Sequence, residues 1–132
     1  MAPLSEAQRG IVSTIREFVR RDVNPVAQQM EHDDEYPFEL VERMKELGLF
    51  GAIIPEEYGG LALDVSTYAL AIEEICRGWM SLSGILNSHL IMAYLVTTHG
   101  TKEQKEHYLP LMATGEKRGG ICITEPNAGS DV

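Results

Sequence analysis

Only one run in this chain has the make-up of a β-strand: Ile121-Cys122-Ile123-Thr124. A strand cannot satisfy its own backbone N–H and C=O groups, and even a two-stranded hairpin is marginal alone. A chain with a single strand must build its core from helices. The expected fold class is therefore all-α, with about six helices in an orthogonal, bundle-like domain over residues 1–118. Residues 119–132 then begin a β-domain whose other strands lie outside the chain, so the sequence reads as truncated.

Local signals place the helices. Ser5 and Gln8 form a capping box ahead of Ile11, Ile15, Phe18 and Val19. Asn24-Pro25 is expected to stop that helix, with Pro25 opening a second to about Asp34. Pro37 opens a third, carrying Leu40, Val41, Met44 and Leu47, and Gly48 stands where a C-terminal cap belongs. The apolar but Gly- and Pro-broken stretch 49–63 reads as a loop packed on the core. Asp64 caps a fourth helix bearing Val65, Tyr68, Ala69, Ile72, Ile75 and Cys76, closed by Gly78. A fifth runs from about Ser81 to His99. Its second half, Leu90 to Val96, is apolar all round and should be central and buried. Thr101 and Gln104 form a second capping box, Pro110 should kink or restart the sixth helix, and Gly115 ends it.

Composition removes several function classes. Eleven Lys and Arg against twenty Asp and Glu give a net charge of −9. Nucleic acid and anionic membranes both demand a basic surface, so neither is expected as the main partner. Two cysteines without a C-x-x-C pair do not make a disulfide framework. No apolar run approaches the roughly 18 residues of a membrane span, and no secretory or transit segment is evident. The expected location is cytoplasmic.

Most catalytic candidates fail on spacing. His32, His89, His99 and His107 fit no metal-ligand pattern, so no metal is expected. Glu73 and Glu74 are adjacent on a helix and point about 100° apart, so they cannot converge on one bond. Glu73 stands four residues before Arg77, the spacing of a helix ion pair. No phosphate-binding loop, dinucleotide fingerprint or nucleophile elbow is present.

Two places remain. Gly84, Asn87, Ser88 and Ile91 share one face of the fifth helix, where they either permit close packing or line a cavity. The other is GGICITEPNAGSD, in which a threonine is followed by a turn of small residues. It is either an ordinary tight turn or a place where backbone donors approach a flat ligand.

ICITEPNAGSDV resembles the first signature of the acyl-CoA dehydrogenase family, closely over Cys122-Ile123-Thr124-Glu125, Gly129, Ser130 and Asp131. GLFGAIIPEEYGGLALD and GTKEQKEHYLPLMATGE resemble two further stretches of that family, in order and at its spacing. The resemblance implies an N-terminal helical domain, a middle β-domain and a C-terminal four-helix bundle, of which this chain holds the first and the start of the second. It implies FAD as cofactor and acyl-CoA as substrate, with an electron-transfer flavoprotein as electron acceptor and a homotetramer as the assembly.

By the same resemblance, Ile121, Cys122, Ile123, Thr124, Gly129 and Ser130 lie along the flavin. Thr124 offers its hydroxyl to the ring, and Ser130 also touches the thioester side. Gly84, Asn87, Ser88 and Ile91 fall on the wall of the acyl-chain cavity. The family removes an α-proton with a carboxylate base and passes the β-hydrogen to the flavin. That base lies downstream, so no catalytic residue is assigned within the chain. An acyl-CoA oxidase of the same fold and a non-catalytic helical module are the alternatives.

Overall fold

The computed structural model describes residues 4–129. Among them are six α-helices. The first, α1, spans Glu6–Phe18. Ser5 Oγ accepts from the Gln8 N–H at 3.1 Å, and Gln8 Oε1 accepts from the Ser5 N–H at 3.0 Å, as its capping box requires.

Asn24-Pro25 does not stop this helix. A π-turn, Val19–Val23, joins α1 directly to α2, Asn24–His32. Pro25 lacks an N–H, and its ring crowds the carbonyl four residues back. The π-turn widens the helix there, and the Asn24 N–H reaches back five residues to Val19 O. The helix passes the proline instead of ending at it. Val19 and Val23 are both buried on the core side.

Helix α3 spans Phe38–Glu46, with Pro37 at its N-cap. Gly48 follows at φ +71°, a left-handed conformation that suits glycine, and its N–H donates to Lys45 O at 2.8 Å. The expected loop then packs on the core through Leu49, Phe50, Ala52 and Ile54. It contains two short 3-10 turns, Leu49–Gly51 and Glu56–Tyr58. It also folds back on itself: Leu61, Ala62 and Leu63 donate to Gly51, Ile54 and Ala52 carbonyls at 2.8–2.9 Å. Those bonds let an irregular backbone sit against a hydrophobic core.

Helix α4, Val65–Gly78, is capped by Asp64, whose Oδ1 accepts from the Thr67 N–H at 3.0 Å. Its buried face follows the expected apolar stripe only at Ile75 and, half-buried, at Tyr68 and Ile72. Val65, Ala69 and Cys76 are exposed, while Thr67, Ala71, Glu74 and Ile75 are buried. The two polar members are satisfied by α1. Gln8 Nε2–H donates to Thr67 Oγ1 at 3.0 Å, and Arg16 grips Glu74.

Helix α5 spans Met80–His99 and α6 spans Lys102–Ala113. The Thr101–Gln104 capping box opens α6, and Pro110 sits inside it without interrupting it. Gly115 closes it at φ +73°. Helix α5 is central but not buried all round. Leu82, Leu86, His89, Leu90 and Ala93 face the core, whereas Ile91, Tyr94 and Leu95 are exposed. At 20 residues and mean hydropathy 1.2, α5 has the length and composition to cross a membrane, contrary to the sequence expectation. Here one of its faces belongs to a packed helical core. The core falls into two clusters, a large one among α1 to α5 and a smaller one of Ile54, Ala93, Leu109, Met112 and Ala113.

The terminal strand is not formed. Ile121–Thr124 has no ladder partner among the described residues, and the only pairing nearby is an isolated bridge between Glu125 and Ala128. A strand exists by pairing, and this segment has nothing to pair with.

Gly78 marks a close contact between α4 and the π-turn. A Cβ there would lie 2.5 Å from Val19 Cγ1 and 3.1 Å from Asn24 Oδ1, against the π-turn. Alanine is intrinsically the better helix former by about 1 kcal/mol. The stiff, buried Val19 cannot swing aside, so Gly78→Ala is expected to destabilise by about 1–3 kcal/mol net, measured by urea unfolding.

Candidate functional site

The signature segment leaves the helical body as an arm. Lys117 N–H donates to Leu111 O at 3.0 Å, and Arg118 donates to the Tyr36 hydroxyl. Gly119 N–H donates to His89 Nδ1 at 3.2 Å. Gly119 is seated closely: a Cβ there would meet Met92 Cγ at 2.6 Å. Beyond this point Ile121, Cys122, Ile123 and Thr124 are exposed along one continuous stretch. The Glu125 N–H donates to Ala128 O at 2.8 Å, and the Ala128 N–H returns to Glu125 O at 3.2 Å, closing the turn. Gly129 is exposed on the far side of that turn, and Ser130 lies outside the described residues.

The arm thus offers an open apolar edge at Ile121 and Ile123 beside a threonine hydroxyl on an exposed residue. A Cβ on Gly120 or Gly129 would meet nothing within 4 Å, so backbone is accessible on both sides of Thr124. These residues suit a flat ring that needs apolar contact and hydrogen-bond donors at its edge.

The second predicted face lies on α5. Gly84, Ser88 and Ile91 are exposed and Asn87 is half-buried. A Cβ on Gly84 meets nothing within 4 Å, so this glycine does not serve close helix packing. Asn87 Oδ1 accepts from the Tyr68 hydroxyl of α4. Burial pushes the Tyr68 pKa up, so it remains a donor at neutral pH. Tyr68 was read in the sequence only as part of an apolar stripe. Its pairing with Asn87 spans two helices and has no local signal.

Two features were invisible in the sequence. One is a groove of about 500 Å³ between the second half of α5, α6 and Lys117–Gly119, lined by Met92, Val96, Tyr108 and Met112 among others. The other is His89, fully buried, considered in the sequence only as a metal ligand. Its Nδ1 accepts from Gly119, so the ring proton sits on Nε2 and is donated to Phe50 O at 3.0 Å. Burial holds its pKa below the ordinary histidine value, against the pull of the Phe50 and Met112 carbonyls.

The adjacent glutamates separate as their spacing implies. Glu73 pairs with Arg77 at 2.7 Å. Glu74 is buried and receives Arg16 on both oxygens, Nη2 to Oε1 at 2.7 Å and Nε to Oε2 at 3.1 Å. No group of three His, Cys, Asp or Glu side chains able to hold a metal comes together among the described residues.

Comparison with known proteins gives the family. Residues 5–116 match the family model for the acyl-CoA dehydrogenase N-terminal domain. An acyl-CoA dehydrogenase of Bacillus subtilis is 41% identical over 118 residues, which is 89% of this chain and 31% of that protein. The solved glutaryl-coenzyme A dehydrogenase–glutaryl-CoA complex superposes with a TM-score of 0.91 at 38% identity, covering 99% of this chain and 34% of the other. An acyl-CoA dehydrogenase from Bacillus anthracis, solved with FAD, superposes with a TM-score of 0.84 at 35% identity, over 97% of this chain and 22% of that one. The chain spans about a third of the length of the curated relatives it matches.

The Glu74 pair gives a pH test. The hydrogen-bonded Arg16 guanidinium holds the Glu74 carboxyl below its ordinary range, outweighing burial. A carboxyl depressed in the folded state contributes stability above its unfolded pKa of about 4.3 and loses it as pH falls through the folded value. Glu74→Gln is expected to lower stability at pH 7 by about 1 kcal/mol or less, because Arg16 reaches the pair from solvent. Denaturant melts should show the gap to the parent closing below about pH 4.

Proposed function

The chain belongs to the acyl-CoA dehydrogenase family, and on that premise we propose that it is the N-terminal part of an FAD-dependent enzyme that α,β-desaturates acyl-CoA thioesters. One observation carries this reading. Ile121 to Thr124 of the signature stand exposed on an arm pinned to the helical body at Gly119, with apolar side chains beside a threonine. When bound, FAD supplies the acceptor for the hydrogen leaving the substrate β-carbon.

The residues of this chain bind and orient. Ile121 and Ile123 pack along the ring, with Cys122 between them. Thr124 donates its hydroxyl to the ring edge, where charge develops as the ring is reduced. Gly129 keeps the backbone close, and Ser130 meets both cofactor and thioester. On α5, Gly84, Asn87, Ser88 and Ile91 form one wall of the acyl-chain site, excluding water from the chain. The proton-abstracting carboxylate comes from elsewhere in the protein. Glu125 is exposed within the signature turn and takes no such part. An electron-transfer flavoprotein is the proposed acceptor, a homotetramer the proposed assembly and the cytoplasm the proposed location. The helical part ends, on this reading, at Arg118.

Two substitutions in the complete protein test the assignments. Thr124→Val removes the hydroxyl while nearly keeping shape. A lost hydrogen bond costs on the order of 1 kcal/mol, more where it acts on developing charge. The expected result is a shifted flavin absorbance spectrum and roughly tenfold slower reduction by acyl-CoA, and unchanged values would remove Thr124 from the site.

Gly84→Leu should fold, because its side chain enters open space. It is expected to reduce kcat/KM for long acyl chains by at least about tenfold, the scale of a steric penalty near 1.4 kcal/mol, while sparing short ones. Steady-state kinetics across acyl-CoA chain lengths measures this. An unchanged profile would take this face off the cavity wall.

A further inference from the structure

Among the described residues, His89 is the one side chain that bonds two backbone segments on either side of α5. It is completely buried, and its ring meets Phe50 edge-on at 5.1 Å between centroids. Its Nε2–H donates to the Phe50 carbonyl in the core loop, and its Nδ1 accepts from the Gly119 amide in the arm. Among the described residues, the Gly119 bond is the last hydrogen bond between arm and helical body. The later ones, between Glu125 and Ala128, lie within the arm. Gly119 has no side-chain freedom there either, since any Cβ would strike Met92.

We propose that His89 is a positioning residue for the flavin-side arm: its neutral ring, locked by Phe50, holds the Gly119 amide and so fixes where Ile121 to Thr124 stand. The inference rests on the proposed placement of those residues along the flavin. Only a neutral Nε2–H tautomer can make both bonds, because Gly119 N–H needs a lone pair and Phe50 O needs a proton. A buried apolar residue would fill the same space and leave the Gly119 amide without its acceptor.

Three variants of the complete holoenzyme separate positioning from packing. The side-chain amide of His89→Asn stands near the place of Nδ1 and can accept from Gly119. That of His89→Gln stands near Nε2 and serves Phe50 instead. His89→Leu serves neither. All three should lower the melting temperature. Flavin reduction by saturating acyl-CoA should fall roughly 10- to 100-fold in the Gln and Leu variants, the scale of an ångström-level misplacement, with a shifted flavin spectrum. The Asn variant should stay within about threefold of the parent, a change of under about 0.7 kcal/mol in barrier. If Leu does not fold, the Asn–Gln contrast decides alone.

Reduction rates and spectra that stay at parent values in every variant, or that track melting temperature alone, would overturn the proposal. Amide hydrogen exchange at Gly119, whose N–H makes the bond to His89, reads the tether without reference to flavin. It should be faster in Gln and Leu than in Asn, and equal exchange would overturn the tether itself. A tether that holds by exchange while Thr124→Val leaves the spectrum unchanged places the fault in the flavin assignment, not in His89.

Discussion

The structure turns on one irregular segment, Leu49 to Ile54, that had to be buried without regular secondary structure. Its side chains feed both core clusters: Leu49, Phe50 and Ala52 enter the larger, Ile54 the smaller. Burying irregular backbone is costly unless each N–H and C=O finds a partner. Here the partners come from three sources. The segment bonds to itself and to its own return strand of chain at Leu61–Leu63. Phe50 O receives His89 of α5. Apart from these hydrogen bonds, Gly51 packs so close to α6 that a Cβ would stand 3.1 Å from Ala113 O. The helices are thereby registered on one another through the loop.

That arrangement divides α5 by function. One face is committed to the core through Leu82, Leu86, Leu90 and Ala93, and the polar His89 is tolerated there because both ring nitrogens are satisfied. The other face carries Gly84, Ser88 and Ile91 to the surface. A helix apolar on most sides but packed on only one leaves the second available for ligand or for another domain. The segment Gly120 to Thr124 is likewise exposed, with apolar side chains at Ile121 and Ile123, and it is tethered to the same helix through His89.

Much of the helical plan was legible in the residues. Ser5, Asp64 and Thr101 cap helices as written, and Gly48 and Gly115 adopt the left-handed conformation that ends them. The misreadings share a cause. Pro25 was read as a stop, but the π-turn behind it keeps the helix going where Val19 and Val23 are needed in the core. The α4 stripe was read from hydrophobicity, while the buried face includes Thr67 and Glu74 because α1 supplies their partners. Ile121–Thr124 has strand composition but no strand, since pairing is not a property of one segment. For the candidate site, the segment and the α5 face were singled out from the residues and given roles by the resemblance; Ile121–Thr124, Gly84, Ser88 and Ile91 stand exposed and Asn87 is half-buried. Tyr68 and His89 were missed.

The sequence by itself determined the helix ends set by Ser5, Gly48, Asp64, Thr101 and Gly115, since caps and glycines act on backbone groups within a single turn. It also determined family membership, because the signature and its flanking stretches are contiguous in the chain. Only the tertiary structure decided which face of each helix is buried and which polar side chains are held. His89 meets Phe50 across 39 residues and Gly119 across 30. Those bonds exist because a buried donor or acceptor must be satisfied by whatever the fold brings beside it, and no local pattern of residues records what that will be.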